Sequence, residues 1–414
     1  MKKLFIVALA MMVSCGAFAQ DKVWKKALST GEGGKTAEAL EMIKPALESA
    51  ETLDKAGAYN ALARIYFKQF ADQSSIEIMN KAKGETKPVD QVLMNTSIYE
   101  AFKAFLKSDE FDCQPDAKGK VKMKFRQEVS KTYYNQRPNL INAGQYFYGN
   151  KENEMAKKIW GLYLDTKNAP LFADHAAEPD QYAAQIAYYI CFLAYQTEDY
   201  DCYKKYIGIA LADPEQAKAA EEINVAMLQN HFVATKAAED SIAFLKAAKA
   251  AHEKYPDVQR YFDVIARCYM NNNDQLIKFM DEEIAKNPDA VLPYQYKGDI
   301  AMNNQKYDEA IDLFKKVVEK EADNVAANFN LGVCYYNKAN TLKDELSDKK
   351  TGALTKVNAD KVKVILADAQ TYLEKARQLD PDQEICRWAY ILGNTYYVRG
   401  ETAKYDEVSK FIKK

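Results

Sequence analysis

Glycine and proline are scarce in this chain, 16 and 11 among 414 residues. A fold of many short strands needs more turn residues than that, and no stretch sustains the period-2 alternation of β-branched residues of a half-buried strand. Histidine is scarcer still. His175, His231 and His252 include no i, i+4 pair and no C-x-x-C occurs, so a zinc site has little to build from. Beyond the amino-terminal leader no apolar run reaches the roughly 20 residues that cross a bilayer. A basic stripe for nucleic-acid phosphates is also missing: 57 Lys and Arg face 59 Asp and Glu, and the lysines of Lys118 to Lys124 read as a solvated linker and helix start.

Catalytic constellations are equally hard to find. Gly33-Gly34-Lys35-Thr36 imitates the tail of a phosphate-binding loop, but Ser29 stands where that motif needs glycine, and Val23 to Leu28 reads as an amphipathic helix, not a buried strand. Two glycines in a turn between helices explain it. Glu221-Glu222 and Glu282-Glu283 are sequence neighbours on helices, so their carboxylates splay apart. His175 beside Asp174 would suit a base, but no nucleophile accompanies it. No catalytic residue, cofactor or metal is expected.

What the chain has in quantity is helix-forming sequence. Runs such as Ala217 to Glu222 and Ala247 to Lys254 are dense in strong helix formers, and the chain reads as all-α. Residues 1–19 read as a signal peptide: Lys2 and Lys3, an apolar run from Leu4 to Val13, and Ala17-Phe18-Ala19 as the cleavage site. Export to the periplasm or the outer-membrane region of a Gram-negative envelope is the expectation. Val13-Ser14-Cys15 approximates a lipobox, so a membrane is a partner only if Cys15 is lipidated. Cys191 and Cys202 lie nearly symmetrically about a turn near Gln196, which leaves open either a disulfide or two small buried hydrophobes.

Self-similarity supplies the organisation. Leu331 to Tyr336 reads LGVCYY, and 61 residues later Leu392 to Tyr397 reads LGNTYY. Thirty-four residues before Gly332 stands Gly298, followed by Ala310 and Phe314. A small residue at Gly298 admits a second helix closely, Ala310 is its small partner, and Phe314 fills the space beside them. Leu331, Gly332 and Tyr335, then Ala369, Leu373, Ala376 and Pro381, repeat the pattern. Here the chain resembles the tetratricopeptide repeat (TPR) family.

That resemblance implies a right-handed α-α superhelix of roughly nine or ten hairpins, irregular in its N-terminal half. Further anchors for the small inner-helix residue are placed at Leu28, Ala63, Ala143, Phe192, Leu228 and Ala266. Residues 20–214 form the irregular part and 215–414 the C-terminal array, with an insertion at 340–363 accounting for the 61-residue step. An insertion at a hairpin turn costs little closure entropy, so the stack tolerates it.

The family likeness also implies a non-catalytic scaffold that holds a protein or peptide partner in a concave groove; no nucleic-acid partner is expected, on the charge balance above. Its lining on the two best-defined inner helices is Phe329, Val333, Tyr336 and Asn337, then Tyr390, Asn394 and Tyr397. The asparagine and lysine set by which chaperone-binding relatives grip a terminal carboxylate is absent, since Gln295, Asp299, Phe329 and Val333 occupy those places. A lipid-anchored subunit of an outer-membrane assembly or uptake complex is the alternative.

Overall fold

The structure, a computed structural model, describes residues 21–50, 52–115 and 119–412. The expected leader and Cys15 lie outside them. Helices and turns make up the described residues, with no strand among them. The chain falls into two compact units, up to Tyr255 and from Pro256 onward. Residues 214 and 215, where the sequence reading divides the chain, precede the tenth helix.

In the first unit α1 covers residues 21–32, and α2 (Thr36–Glu48), α3 (Lys55–Lys83), α4 (Gln91–Asp112), α5 (Arg126–Tyr133), α6 (Pro138–Gly149), α7 (Asn153–Lys167), α8 (Ala183–Gln196), α9 (Tyr200–Leu211), α10 (Ala217–Thr235) and α11 (Ala238–Lys254) follow. The second unit contains α12 (Gln259–Tyr269), α13 (Asn273–Lys286), α14 (Val291–Asn303), α15 (Tyr307–Lys320), α16 (Val325–Leu346), α17 (Lys356–Leu379), α18 (Trp388–Arg399) and α19 (Thr402–Ile412). Apart from α5, these helices pair as nine antiparallel hairpins, each packed on the next in its unit. The suspected phosphate loop is the α1–α2 turn, with Gly34 at φ +88°.

The pattern read at Gly298 is the packing rule. Counting 12, 16 and 19 residues onward reaches Ala310, Phe314 and Val317, all buried. A Cβ on Gly298 would stand 2.8 Å from Phe314 Cε1, and one on Gly332 2.4 Å from Leu373 Cγ, so the two helices of each hairpin touch where the inner one has no side chain. Applied elsewhere, the rule corrects three anchors by one residue. Ala27, not Leu28, leads to Ala39, Ile43 and Ala46; Cys191, not Phe192, leads to Tyr203, Ile207 and Ala210; all eight are buried. Gly144, not Ala143, leads to Ala156, Trp160 and Tyr163, and a Cβ there would collide with Trp160 Nε1 at 2.2 Å. At Ala266 the following interval is 32 instead of 34 because α12 has 11 residues where α14 has 13. Its buried partners are therefore Leu276 and Met280, two places early.

The insertion does not form a slack turn. α16 has 22 residues where α14 has 13, and α17 has 24 where α15 has 14, so most of the extra chain lengthens both arms of one hairpin. Ala339, Val362 and Leu366 are buried along the added part, with Leu342, Leu354 and Ile365 against them, which gives the protruding arms an apolar seam of their own. Cys191 and Cys202 are both free thiols, and the buried Cys191 points its sulfur at the Tyr203 carbonyl, 3.8 Å away.

The first unit departs from a strict period between α7 and α8, where residues 168–182 include a 3₁₀ turn, Pro170–His175. Buried Arg137 holds this segment. Its Nη2 donates to the Tyr163 carbonyl at 2.8 Å and to Asp180 Oδ2 at 3.2 Å, its Nε donates to Thr166 Oγ1 at 2.9 Å, and its guanidinium lies against the Tyr134 and Tyr163 rings. Tyr163 in turn donates to Asp180 Oδ1 at 2.5 Å. Lys167 ties down the remainder by donating to the carbonyls of His175 and Glu178.

Candidate functional site

Each inner helix of the second unit has a covered and an open side. On α16, Leu331, Gly332, Cys334 and Tyr335 are buried toward α15 and α17; on α18, Leu392, Gly393, Thr395 and Tyr396 are buried in the same way. Helical geometry then turns the residues one and two places away from this seam outward. α14 also packs against α16, and α16 against α18, so the open sides of these inner helices adjoin.

The seven residues singled out from the sequence fall on these open sides, with unequal exposure. Tyr390 and Tyr397 are 60% and 72% exposed. Phe329, Val333, Asn337 and Asn394 are half-buried. Tyr336 is also half-buried but divides its ring between the main core of the unit and the seam of the protruding hairpin, so it supports the fold as well as facing outward. Phe329 likewise leans on the core. Tyr397 meets the Tyr405 ring at a tilt, ring centres 5.7 Å apart, and still leaves most of its own surface exposed. Two large aromatic faces on α18 therefore lie open to solvent.

A residue read from the sequence only as a departure from the chaperone-binding set proves electrostatically distinctive. Asp299, on the open side of α14, is half-buried and accepts one hydrogen bond, from Asn330 Nδ2 on α16 at 3.0 Å. Burial pushes its carboxyl up to about 6, against which the Asn330 bond pulls only partly. Tyr296, one turn earlier, meets Phe262 of α12 edge-on at 5.9 Å, and burial raises its phenol pKa, with Asp263 and Arg267 of α12 acting in opposite directions. A separate cleft of about 550 Å³ lies between the α14–α15 turn and the protruding hairpin, lined by Tyr307, Leu342, Ile365 and the Lys338–Asp308 pair.

His175, weighed as a base, and His231 are both engaged with aromatic rings and carboxylates. His175 lies flat on Tyr134, ring centres 3.9 Å apart, with Nδ1 2.7 Å from Glu178 Oε1. His231 stacks on Tyr200 at 3.6 Å with Asp240 3.6 Å from Nε2. Among the described residues no group of three His, Cys, Asp or Glu side chains is placed to hold a metal ion, and no helix is long and apolar enough to cross a membrane.

Residues 297–348, from the second half of α14 to just past α16, match the family described as tetratricopeptide repeat. A search of curated proteins gave no match. Solved structures similar to the chain include a monomeric mutant of IFIT1 with Gppp-AAAA, at 15% identity over 86% of this chain and 73% of that one, with a TM-score of 0.34. Yeast Tom70 is 13% identical over 94% of this chain and 76% of its own, with a TM-score of 0.33. Naa15/Naa10 bound to HypK-THB is 14% identical, covering 97% and 59%, with a TM-score of 0.29.

Proposed function

We propose that the protein is a non-catalytic scaffold that binds a protein or peptide partner on the adjoining open sides of α14, α16 and α18, and that it works after export into the cell envelope. The observation that carries the binding reading is the pair Tyr390 and Tyr397, two large rings held on a rigid helix and left uncovered. Rigid aromatics lose little entropy when a partner covers them, which makes them efficient anchors. The tetratricopeptide match over α15 and α16 supports the same reading, since such hairpins stack to present a continuous side to a ligand. Export is supported by Lys2-Lys3, the apolar run to Val13 and Ala17-Phe18-Ala19. Val13-Ser14-Cys15 favours a second form, anchored by a lipid; mass spectrometry of the mature amino terminus distinguishes acylated Cys15 from cleavage after Ala19.

The test is affinity capture with the intact chain and with a Tyr390→Ala, Tyr397→Ala double variant. The partner recovered by the parent is expected to fall at least tenfold in the variant, as expected when two exposed hot-spot aromatics are truncated. Thermal unfolding should move by less than about 1 kcal/mol, because neither ring is buried. Equal recovery by the two proteins would defeat the assignment of this surface.

A further inference from the structure

Carboxylates drawn into this protein are, as a rule, compensated. Asp109 faces Arg126 at 2.7 Å, Asp180 faces Arg137 at 3.2 Å, and Asp199 faces Lys157 at 3.1 Å. Asp112 and Asp380 instead accept backbone N–H groups, from Lys124 and Phe125 and from Glu384, Ile385 and Cys386. Asp299 breaks the rule. Its one donor is a neutral amide, and among the described residues no lysine, arginine or histidine lies within ion-pair distance of it.

The lysines that flank the Gly298–Phe314 contact in sequence, Lys297, Lys315 and Lys316, are engaged elsewhere. Lys297 donates to Asp281 of α13 at 2.6 Å, and Lys315 and Lys316 of α15 lie over the Tyr335 and Tyr294 rings. On α14 itself the titratable neighbour is Tyr296, whose phenol is raised by burial and by Asp263, lowered by Arg267, and raised further by Asp299. On the α16 side the titratable neighbour is Cys334, a buried thiol that desolvation, with a further contribution from Asp299, keeps protonated. A carboxylate has about four acceptor positions, so most of those on Asp299 are unused.

We propose that Asp299 is the anchor for a lysine or arginine side chain of the bound peptide. The inference rests on the scaffold reading above and adds the chemistry of one ligand residue. A desolvated carboxylate with one neutral donor is costly in the free protein, and a cation brought by the partner supplies both the missing charge and the missing donors. Phe329 and Val333, half-buried on the same side of α16, offer apolar surface to the methylene stem of such a side chain.

The test uses a random peptide library displayed on phage and panned against the full chain. Enriched peptides are expected to share a lysine or arginine next to aromatic or aliphatic residues. Replacing that residue by norleucine should weaken binding about tenfold, and Asp299→Asn should weaken the parent peptide equally while leaving the norleucine peptide unchanged. Enrichment without a basic residue, or undiminished binding of the parent peptide to Asp299→Asn, overturns the inference and leaves the scaffold reading standing. Failure to enrich any peptide counts against both.

A second measurement needs no ligand. The folded carboxyl ionises near 6 and an unfolded aspartate near 3.9, so ionised Asp299 lowers stability at neutral pH, and stability returns as pH falls through about 6. Asp299→Asn should therefore melt above the parent at pH 7.5, with the difference shrinking by pH 5. A variant less stable than the parent at pH 7.5 would mean the carboxylate is already satisfied, and would sink the inference.

Discussion

Replacing Gly332 with valine is expected to destabilise the second unit by about 3 kcal/mol, because overpacking a close-packed seam costs roughly 1–3 kcal/mol and this seam yields poorly. The first added carbon would stand 2.4 Å from Leu373 Cγ and 3.2 Å from the Ala369 carbonyl oxygen. Leu373 and Ala369 are both fully buried, so neither can move aside without opening the α16–α17 contact. The contacting oxygen belongs to a helix backbone, which cannot rotate away as a side chain can. Urea unfolding should show a lower midpoint with little change in slope, the signature of lost stability rather than of an altered unfolded state. Gly208→Ala is the matched control. A Cβ on Gly208 meets nothing within 4 Å, and alanine should stabilise α9 by about 0.5–1 kcal/mol. Equal and small effects from the two substitutions would show that close approach at Gly332 does not hold the hairpin.

Arg137→Ala is expected to be more damaging still in the first unit, at about 3–5 kcal/mol, the usual cost of removing one partner of a buried ion pair. Arg137 is 4% exposed, and its loss would leave Asp180 with an uncompensated charge, the Thr166 hydroxyl without its donor, and the Tyr163 carbonyl without the guanidinium that it shares with the Thr166 hydroxyl. Arg137→Lys should recover only part of the loss, since a single ammonium cannot reach both sides of the fork or stack between two rings. In the Arg137→Ala, Asp180→Asn pair the effects should be far from additive, because the second change removes the charge that the first one strands. Hydrogen exchange would place the damage: the amides of α6, α7 and α8 should lose protection while those beyond Tyr255 keep theirs. An unperturbed α7–α8 segment would refute the idea that Arg137 pins residues 168–182.

How much of this was legible in the sequence depends on residue type. Gly298, Ala310 and Phe314 could be read because glycine, alanine and phenylalanine differ sharply in volume, and the contact they predict is present. At Ala143-Gly144 and Cys191-Phe192 small or apolar residues are adjacent, and only the positions of Trp160 and Tyr203 across the hairpin decide which one lies at the seam. The protruding arms were placed at a turn because Asn, Thr, Lys and Asp are frequent there. The seam of Ala339, Val362 and Leu366 overrides those weak propensities, as tertiary packing commonly does.

For the candidate site, sequence spacing puts the aromatic residues of α16 and α18 on the open sides of their helices. It says nothing of how Tyr336 divides its ring between two cores. Asp299 was visible as a residue but not as a problem. Its isolation depends on where Lys297, Lys315 and Lys316 point, and each of those choices is made by a partner distant in sequence or on a neighbouring helix.

The lengthened α16–α17 hairpin has a practical corollary. Nine residues added to α16 carry its tip about 13 Å farther than the end of α14, at 1.5 Å per residue. Its connecting loop, with Gly352 in a left-handed turn and Asp348 gathering the Lys350 and Thr351 amides, is therefore carried out beyond the neighbouring hairpin. A fluorophore or fused tag inserted there would sit at the end of the added helical turns, away from the shared core of α14 to α19.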